Sequence, residues 1–224
     1  MATGETSRQP AKLAELAPGV TAAFVREALH RAIHGVGPLP PAAAAADKQL
    51  KEQKGDVDRA VHEVIENHVR YAGAQGFLTN LGGLATMAYM VPANITGLAL
   101  VQSRMVAGIA HLRGYDLTDP RVRNAVLVSM LGEEAVLDLV KAQKIPAPPM
   151  ALATAPAFDP GLDRVISAEV AADLVAKVAG KRVAGSAARR IPLVGGLVGA
   201  GADGYATWRV GRYADRELLP LRRR

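Results

Sequence analysis

The sequence predicts an all-α fold, and three features carry that expectation. Apolar residues recur at three- and four-residue spacings through most of the chain, and no stretch alternates apolar with polar residues between turn signals. Ala, Leu, Val and Gly abound while aromatic residues make up only 4%, which suits helices packed closely through small side chains. Tyr71 to Ser103, thirty-three residues, contains no Asp, Glu, Lys, Arg or His. Exposing that apolar surface to water forfeits about 25 cal/mol per Å², so protein or lipid must cover it.

The elements follow in order. Residues 1–17 read as a flexible N-terminus without the basic and apolar regions of a secretory signal, and 18–224 as one helical domain. Pro18 to Gly35 forms a first helix, with Val20, Phe24, Ala28 or Leu29, and Ile33 on one face and Gly35 as its stop. Gly37, Pro38, Pro40 and Pro41 enforce a turn, and the Ala42–Ala46 tract starts a short helix reaching Lys54, ended by Gly55. Asp56 caps the next helix, where Val57, Ala60, Val61, Val64, Ile65 and Val69 form an apolar stripe.

That stripe leads into the uncharged segment, where Gly82-Gly83 and Pro92 are expected to divide the helix into the two arms of a hairpin. Gly114 ends the second arm, and Asp119-Pro120 opens a helix continuing to about Lys144. Pro146, Pro148, Pro149, Pro156 and Pro160 mark residues 146–160 as a surface linker. Leu162 to Arg190 resumes helix, with a break expected near Gly180 or Gly185. Ile191 to Glu217 opens glycine-rich and closes as a helix holding Trp208, Val210 and Tyr213, before a basic tail at 218–224.

Neither apolar arm suits a membrane span, which needs about 20 predominantly apolar residues. Phe77–Val91 is too short, and Ala93–Leu112 includes Asn94, Gln102, Arg104 and His111, of which a central Arg alone costs about 2.5–3.5 kcal/mol on insertion scales. The hairpin is therefore expected first to pack inside the protein, second to dip into or dock on a bilayer, and last to span one. Ile191–Ala202 is likewise apolar but too short to cross. Its Gly195 and Gly199, four apart, share a helix face and permit close approach, as Gly82 and Gly83 do in the hairpin.

Several motifs resemble catalytic signatures and lack their context. Gly199 to Gly204 matches G-x-G-x-x-G, but no strand precedes it and no βαβ unit follows. His62 to Glu66 has Glu66 where the second histidine of H-E-x-x-H belongs, and Glu27 to His30 matches E-x-x-H without a second copy. His30 and His34 share a face without further ligands. With no cysteine, disulfides, thiol catalysis and Cys-ligated metals are excluded. No catalytic residue, metal or cofactor is called.

Polar residues set among apolar ones are the better candidates for a site. Thr79, Asn80, Asn94, Gln102, Arg104 and His111 either hydrogen-bond between helices or line an apolar pocket for a lipid-like ligand. Charge supplies a second candidate. The chain carries a net +6, yet eleven basic and three acidic residues lie from Lys177 onward, +8 in all, leaving −2 for the first 176 residues. Arg189, Arg190, Arg209, Arg212, Arg216, Arg222, Arg223 and Arg224 thus form a candidate surface for anionic lipid headgroups. Nucleic-acid phosphate is the third option, but the basic–aromatic interleaving of a reader is thin, and no nucleic acid is expected.

Several blocks resemble the EcsC family of bacteria. They are Gly76-Phe77-Leu78-Thr79 with Leu81-Gly82-Gly83, Pro92-Ala93-Asn94-Ile95, Gln102, and Ile109 to Asp116. The resemblance resumes at Ile191 to Gly196 with Gly199, and at Gly211-Arg212-Tyr213-Ala214. It covers about Val57 to Glu217, with Asp203 where the family commonly has Asn. It implies a membrane-linked accessory role, since founding members are encoded beside the Ecs ABC transporter, and it brings no catalytic residues. The expectation is a non-enzymatic cytoplasmic protein at the inner membrane face, with anionic lipid or a membrane protein, an ABC transporter among the possibilities, as its partner. A pocket-bearing lipid binder or enzyme is the alternative.

Overall fold

The computed structural model describes the backbone of residues 21–81, 87–188 and 192–221, and the side chains of 21–74, 95–177 and 201–221. The fold is a single all-α domain. Among the described residues there are nine helices: α1 (Ala22–His34), α2 (Ala42–Glu52), α3 (Val57–Leu81), α4 (Met87–Leu112), α5 (Pro120–Leu131), α6 (Glu133–Lys141), α7 (Pro149–Ala153), α8 (Pro160–Ala188) and α9 (Pro192–Glu217). No strand occurs among them, only an isolated bridge between Val36 and Leu39 in the α1–α2 turn.

Local chemistry accounts for the helix ends. Thr21 caps α1 by accepting from the Phe24 N–H, Asp56 caps α3 by accepting from the Arg59 N–H at 3.0 Å, and Asp119 caps α5 by accepting from the Arg121 N–H at 2.8 Å with Pro120 behind it. Gly114, at φ +90°, ends α4 with two bonds of a Schellman motif, from the Tyr115 N–H to Ala110 and from its own N–H to His111.

α4 is the hub, packing against α1, α2, α3, α5, α8 and α9. Gln102 through Ala110 are buried without interruption, so the helix has no solvent face there. Ile95–Leu112 is the one described segment long and apolar enough to cross a membrane, and 67% of it is buried inside the bundle.

α3 lies antiparallel to both α4 and α9. Val64 faces Gly108 on one side, while Val69 meets Gly204 and Ile65 meets Gly211 on the other. α3 and α9 form the most extensive helix pair. Arg113 locks their far ends by donating to Asp58 on α3 and to Asp215 on α9, each at 2.7 Å. Burial opposes the Arg113 charge, but the hydrogen bonds and fields of Asp215 and Asp58 outweigh it and hold the pKa above its ordinary value.

Four expectations need correction. Pro92 does not divide the hairpin, because α4 runs through it from Met87. At the sixth residue of the helix, it removes one bond, to the Ala88 carbonyl. Gly82-Gly83 lies outside the described residues, although α3 does end at Leu81. The helix expected from Asp119-Pro120 to Lys144 breaks at Gly132, whose φ of +83° turns the chain into α6. Residues 146–160 are not simply a surface linker: they contain α7, which packs on α5 and buries Pro149, Leu152 and Ala153. The break near Gly180 or Gly185 is absent, since α8 is continuous.

The tail beginning at 218 is docked as far as Leu221. Leu218 is fully buried, the Tyr115 hydroxyl donates to the Leu219 carbonyl at 2.8 Å, and the Leu221 N–H donates to the Arg113 carbonyl at 2.9 Å.

The glycines of α9 divide by what faces them. A methyl group on Gly211 would lie 3.0 Å from both γ-carbons of Ile65 and 3.1 Å from the Met105 sulfur, whereas one on Gly201 would meet nothing within 4 Å. Alanine gains about 1 kcal/mol over glycine inside a helix, and overpacking costs about 1–3 kcal/mol. Gly201→Ala should therefore stabilise by up to about 1 kcal/mol and Gly211→Ala destabilise by about 1 kcal/mol, checked by urea unfolding.

Candidate functional site

Of the six polar residues singled out in the apolar segments, the side chains of Thr79, Asn80 and Asn94 lie outside the described residues. The other three do not converge. Gln102 is fully buried with neither amide atom hydrogen-bonded. His111 meets Asp47 of α2 at 2.7 Å. Arg104 alone lines a substantial groove.

That groove, about 910 Å³, lies between α2, α3 and α4. Its floor is shaped by small residues: Ala42 and Ala46 of α2 are buried, and Gly108 lets α2 and α3 approach α4, its α-carbon facing Val64 and Ala46. Leu39, Val64, Leu100 and Val101 supply apolar wall, and His68, Tyr71 and Arg104 supply its chemistry. Arg104 is only 8% exposed and donates from Nη1 to the Pro40 carbonyl. No carboxylate among the described residues pairs with it, and burial lowers its pKa. At the rim, Lys48 pairs with Glu52 at 3.7 Å, and Glu63 stands on the α3 side.

His68 completes the groove base. Its Nδ1–H donates to the Val64 carbonyl at 2.7 Å, and its ring meets Tyr71 edge-on, with centroids 6.2 Å apart. Burial pulls its pKa down to about 4, the Val64 bond opposing this and the Arg104 charge adding to it. The imidazole is therefore neutral at pH 7, and Arg104 is the sole cation at the base. His68 was legible as the polar member of the α3 stripe, four residues after Val64, but its position among apolar neighbours went unused.

The basic candidate surface resolves into separate regions. Arg209 pairs with Glu134 at 3.1 Å and Arg216 with Glu133 at 2.6 Å, both across to α6, while Arg212 lies 3.3 Å from Asp215. Arg189, Arg190 and Arg222 to Arg224 lie outside the described residues. Arg189 and Arg190 follow α8 directly, whereas Arg222 follows Leu221, held beside Arg113 at the opposite end of α9. Those ends are about 39 Å apart along a 26-residue helix.

The antiparallel registers give one end of the bundle a distinctive composition. Val69 opposite Gly204 sets Tyr71 within about one helical turn of Tyr205, and Leu81 of α3 level with the first turn of α9. The α3–α4 and α8–α9 connections therefore share one end. Segments 72–103 and 178–202 contain no Asp or Glu, and their only charges are Lys181, Arg182, Arg189 and Arg190. At the boundary stand exposed aromatics, Tyr71 at 66%, Tyr205 at 62% and Trp208 at 41%, with the last two rings stacked 5.9 Å apart. The packing glycines Gly195 and Gly199 belong to this end of α9, with side-chain surroundings outside the described residues.

The motifs of catalytic appearance gain no partners. Gly199, Gly201 and Gly204 all lie inside α9 rather than in a loop before a helix. Glu66 faces Arg70 at 4.0 Å, and His30 stacks on His34 with rings 4.1 Å apart. Among the described residues no three His, Asp or Glu side chains converge. No family model, curated protein or solved structure matches the chain.

The lowered pKa of His68 makes a signed prediction. Between pH 6.5 and about 4 the unfolded state binds a proton that the folded state refuses, so stability falls as pH falls, by up to about 3 kcal/mol. Asp173, whose carboxyl is pushed up by burial, titrates in the opposite sense. The difference between wild type and His68→Gln isolates the histidine: unfolding free energies at pH 7 and pH 4.5 should diverge less in the variant.

Proposed function

We propose that this is a membrane-associated accessory protein of the EcsC type, which binds the anionic inner face of a membrane end-on and dips its α3–α4 turn into one leaflet. The observation that carries this reading is the convergence of two carboxylate-free segments, 72–103 and 178–202, at one end of the bundle, a consequence of the antiparallel α3–α4 and α3–α9 registers. Charge supports it, because segments 72–103 and 178–202 carry four cations and no carboxylates, and each basic residue near an anionic surface contributes about 1 kcal/mol. Tyr71, Tyr205 and Trp208 stand where an aromatic belt meets the headgroups.

Length sets the depth. From Tyr71 to Leu81 the helix advances about 15 Å, roughly half of a 30 Å hydrocarbon core. The hairpin thus reaches into one leaflet without crossing. The cations at the α8–α9 connection stay at headgroup level or snorkel toward it. Burial of Ile95–Leu112 within the bundle is in keeping with partial insertion, since that helix is already covered by protein over most of its length.

Vesicle co-sedimentation tests this. Wild type should pellet with vesicles containing phosphatidylglycerol and stay in solution with phosphatidylcholine alone. Reversing Lys181, Arg182, Arg189 and Arg190 to Glu should weaken binding at least a hundredfold, and Phe77→Asp should abolish the fraction that resists high salt. Absence of binding to either vesicle, or binding unchanged in the reversed variant, would sink the proposal.

A further inference from the structure

The α2–α3–α4 groove holds an uncommon combination: an arginine only 8% exposed as a residue, an open space of about 910 Å³ beside it, and apolar walls. Arg104 satisfies one of its donors on the Pro40 carbonyl, and its remaining N–H groups have no protein acceptor among the described residues. Buried charge is retained in proteins when something neutralises it. The carboxylates on the groove, Glu52 and Glu63, stand at the rim and do not pair with Arg104; Glu52 instead has Lys48.

We propose that this groove binds an anionic single-chain amphiphile, with its oxyanion head on the Arg104 guanidinium and its hydrocarbon tail along Leu100, Val101 and Val64. A guanidinium presents parallel N–H donors that match the two oxygens of a carboxylate or phosphate. Neutral His68 beside it adds no repulsion toward a tail and offers its Nε2 lone pair to a head that carries a proton. Ala42, Ala46 and Gly108 keep the floor open, since larger side chains there would fill the space a tail needs. The Tyr71 end of the groove faces the aromatic boundary at the apolar end of the bundle, so a tail can leave toward it. The inference does not require that the protein insert in a bilayer, and its test contains no vesicles.

The probes are oleate, oleoyl lysophosphatidate and oleyl alcohol below their aggregation concentrations, with inorganic phosphate and acetate as heads without tails. Binding is followed by displacement of a fluorescent fatty acid and by the NMR titration of the His68 ring. The expected result is saturable binding of oleate or the lysophosphatidate at least tenfold tighter than of oleyl alcohol, and no binding of phosphate or acetate at the same concentrations. Preference between the two anionic lipids identifies the head as carboxylate or phosphate. An anion on Arg104 should also raise the His68 titration midpoint, because it offsets the cation and favours the imidazolium.

Arg104→Met, which keeps length and apolar contact, should lose at least tenfold in affinity for the anionic probes and leave oleyl alcohol unchanged. Gly108→Leu, which fills the floor, should weaken all three while Arg104 remains. Circular dichroism and thermal melting verify that each variant is folded; if Arg104→Met fails to fold, the Gly108→Leu comparison and the wild-type His68 shift decide. Equal affinity for oleate and oleyl alcohol, an unmoved His68 midpoint at saturation, or phosphate binding as tightly as the amphiphiles would overturn the proposal.

Discussion

The close antiparallel contact between α3 and α9 is the constraint on which the rest of the structure depends. Gly204 and Gly211 bring the α9 backbone against Val69 and Ile65, and no bulkier residue at 211 fits without displacing Ile65 or Met105. At one end Arg113 ties Asp58 to Asp215. With that register fixed, Tyr71 and Tyr205 must stand within about a turn of each other, and the connections α3–α4 and α8–α9 must emerge together. A shift of one helical turn, about 5.4 Å, would break the Arg113 bridge and move Gly211 off Ile65 at once.

The Arg113 bridge contributes more to register than to net stability. Its guanidinium is 11% exposed and Asp215 is 19%, while Asp58 is 83% exposed. Desolvation consumes much of what a buried pair gains, yet removing one partner strands the other. The bridge therefore penalises misaligned packings strongly while adding little to the aligned one. Docking of Leu218 and Leu221 beside it closes the same end of the bundle. A charge asymmetry that reads along the chain as one block is partly neutralised where its side chains are described, Arg209 and Arg216 pairing with Glu134 and Glu133 of α6 and Arg212 with Asp215.

Much of the fold was legible because helix caps and stripes are local. Asp56, Asp119 and Gly114 act through residues within one turn, and the α3 stripe from Ala60 to Ile65 is buried as its period requires, whereas the first helix, expected from Pro18, begins at Ala22 after the extended cap Thr21. What escaped was set by context. Gly132 interrupts a continuous apolar pattern, and only Glu133-Glu134 after it, suited to a helix N-terminus, signals the restart. Pro149 reads as a breaker but starts α7, while Ile145 and Leu152 supply the buried contacts. The groove was hardest to foresee, because Arg104, His68 and the Ala42–Ala46 tract lie on three helices and their approach depends on Gly108. Sequence reasoning grouped Arg104 with Gln102 and His111 along α4; Arg104 and His111, seven residues apart, share the face toward α2 but lie two turns apart, where His111 meets Asp47 instead of the groove, and Gln102 points away into the core.

The convergence of the two carboxylate-free segments at one end, facing a membrane, is the central claim. The chain has no cysteine, so a single environment-sensitive nitrobenzoxadiazole label at Met87→Cys reports that end alone, and one at Arg59→Cys reports the other. On addition of phosphatidylglycerol vesicles the Met87 label should brighten several-fold and shift to the blue while the Arg59 label stays unchanged. Equal responses at both ends, or a response at Arg59 alone, would contradict the account.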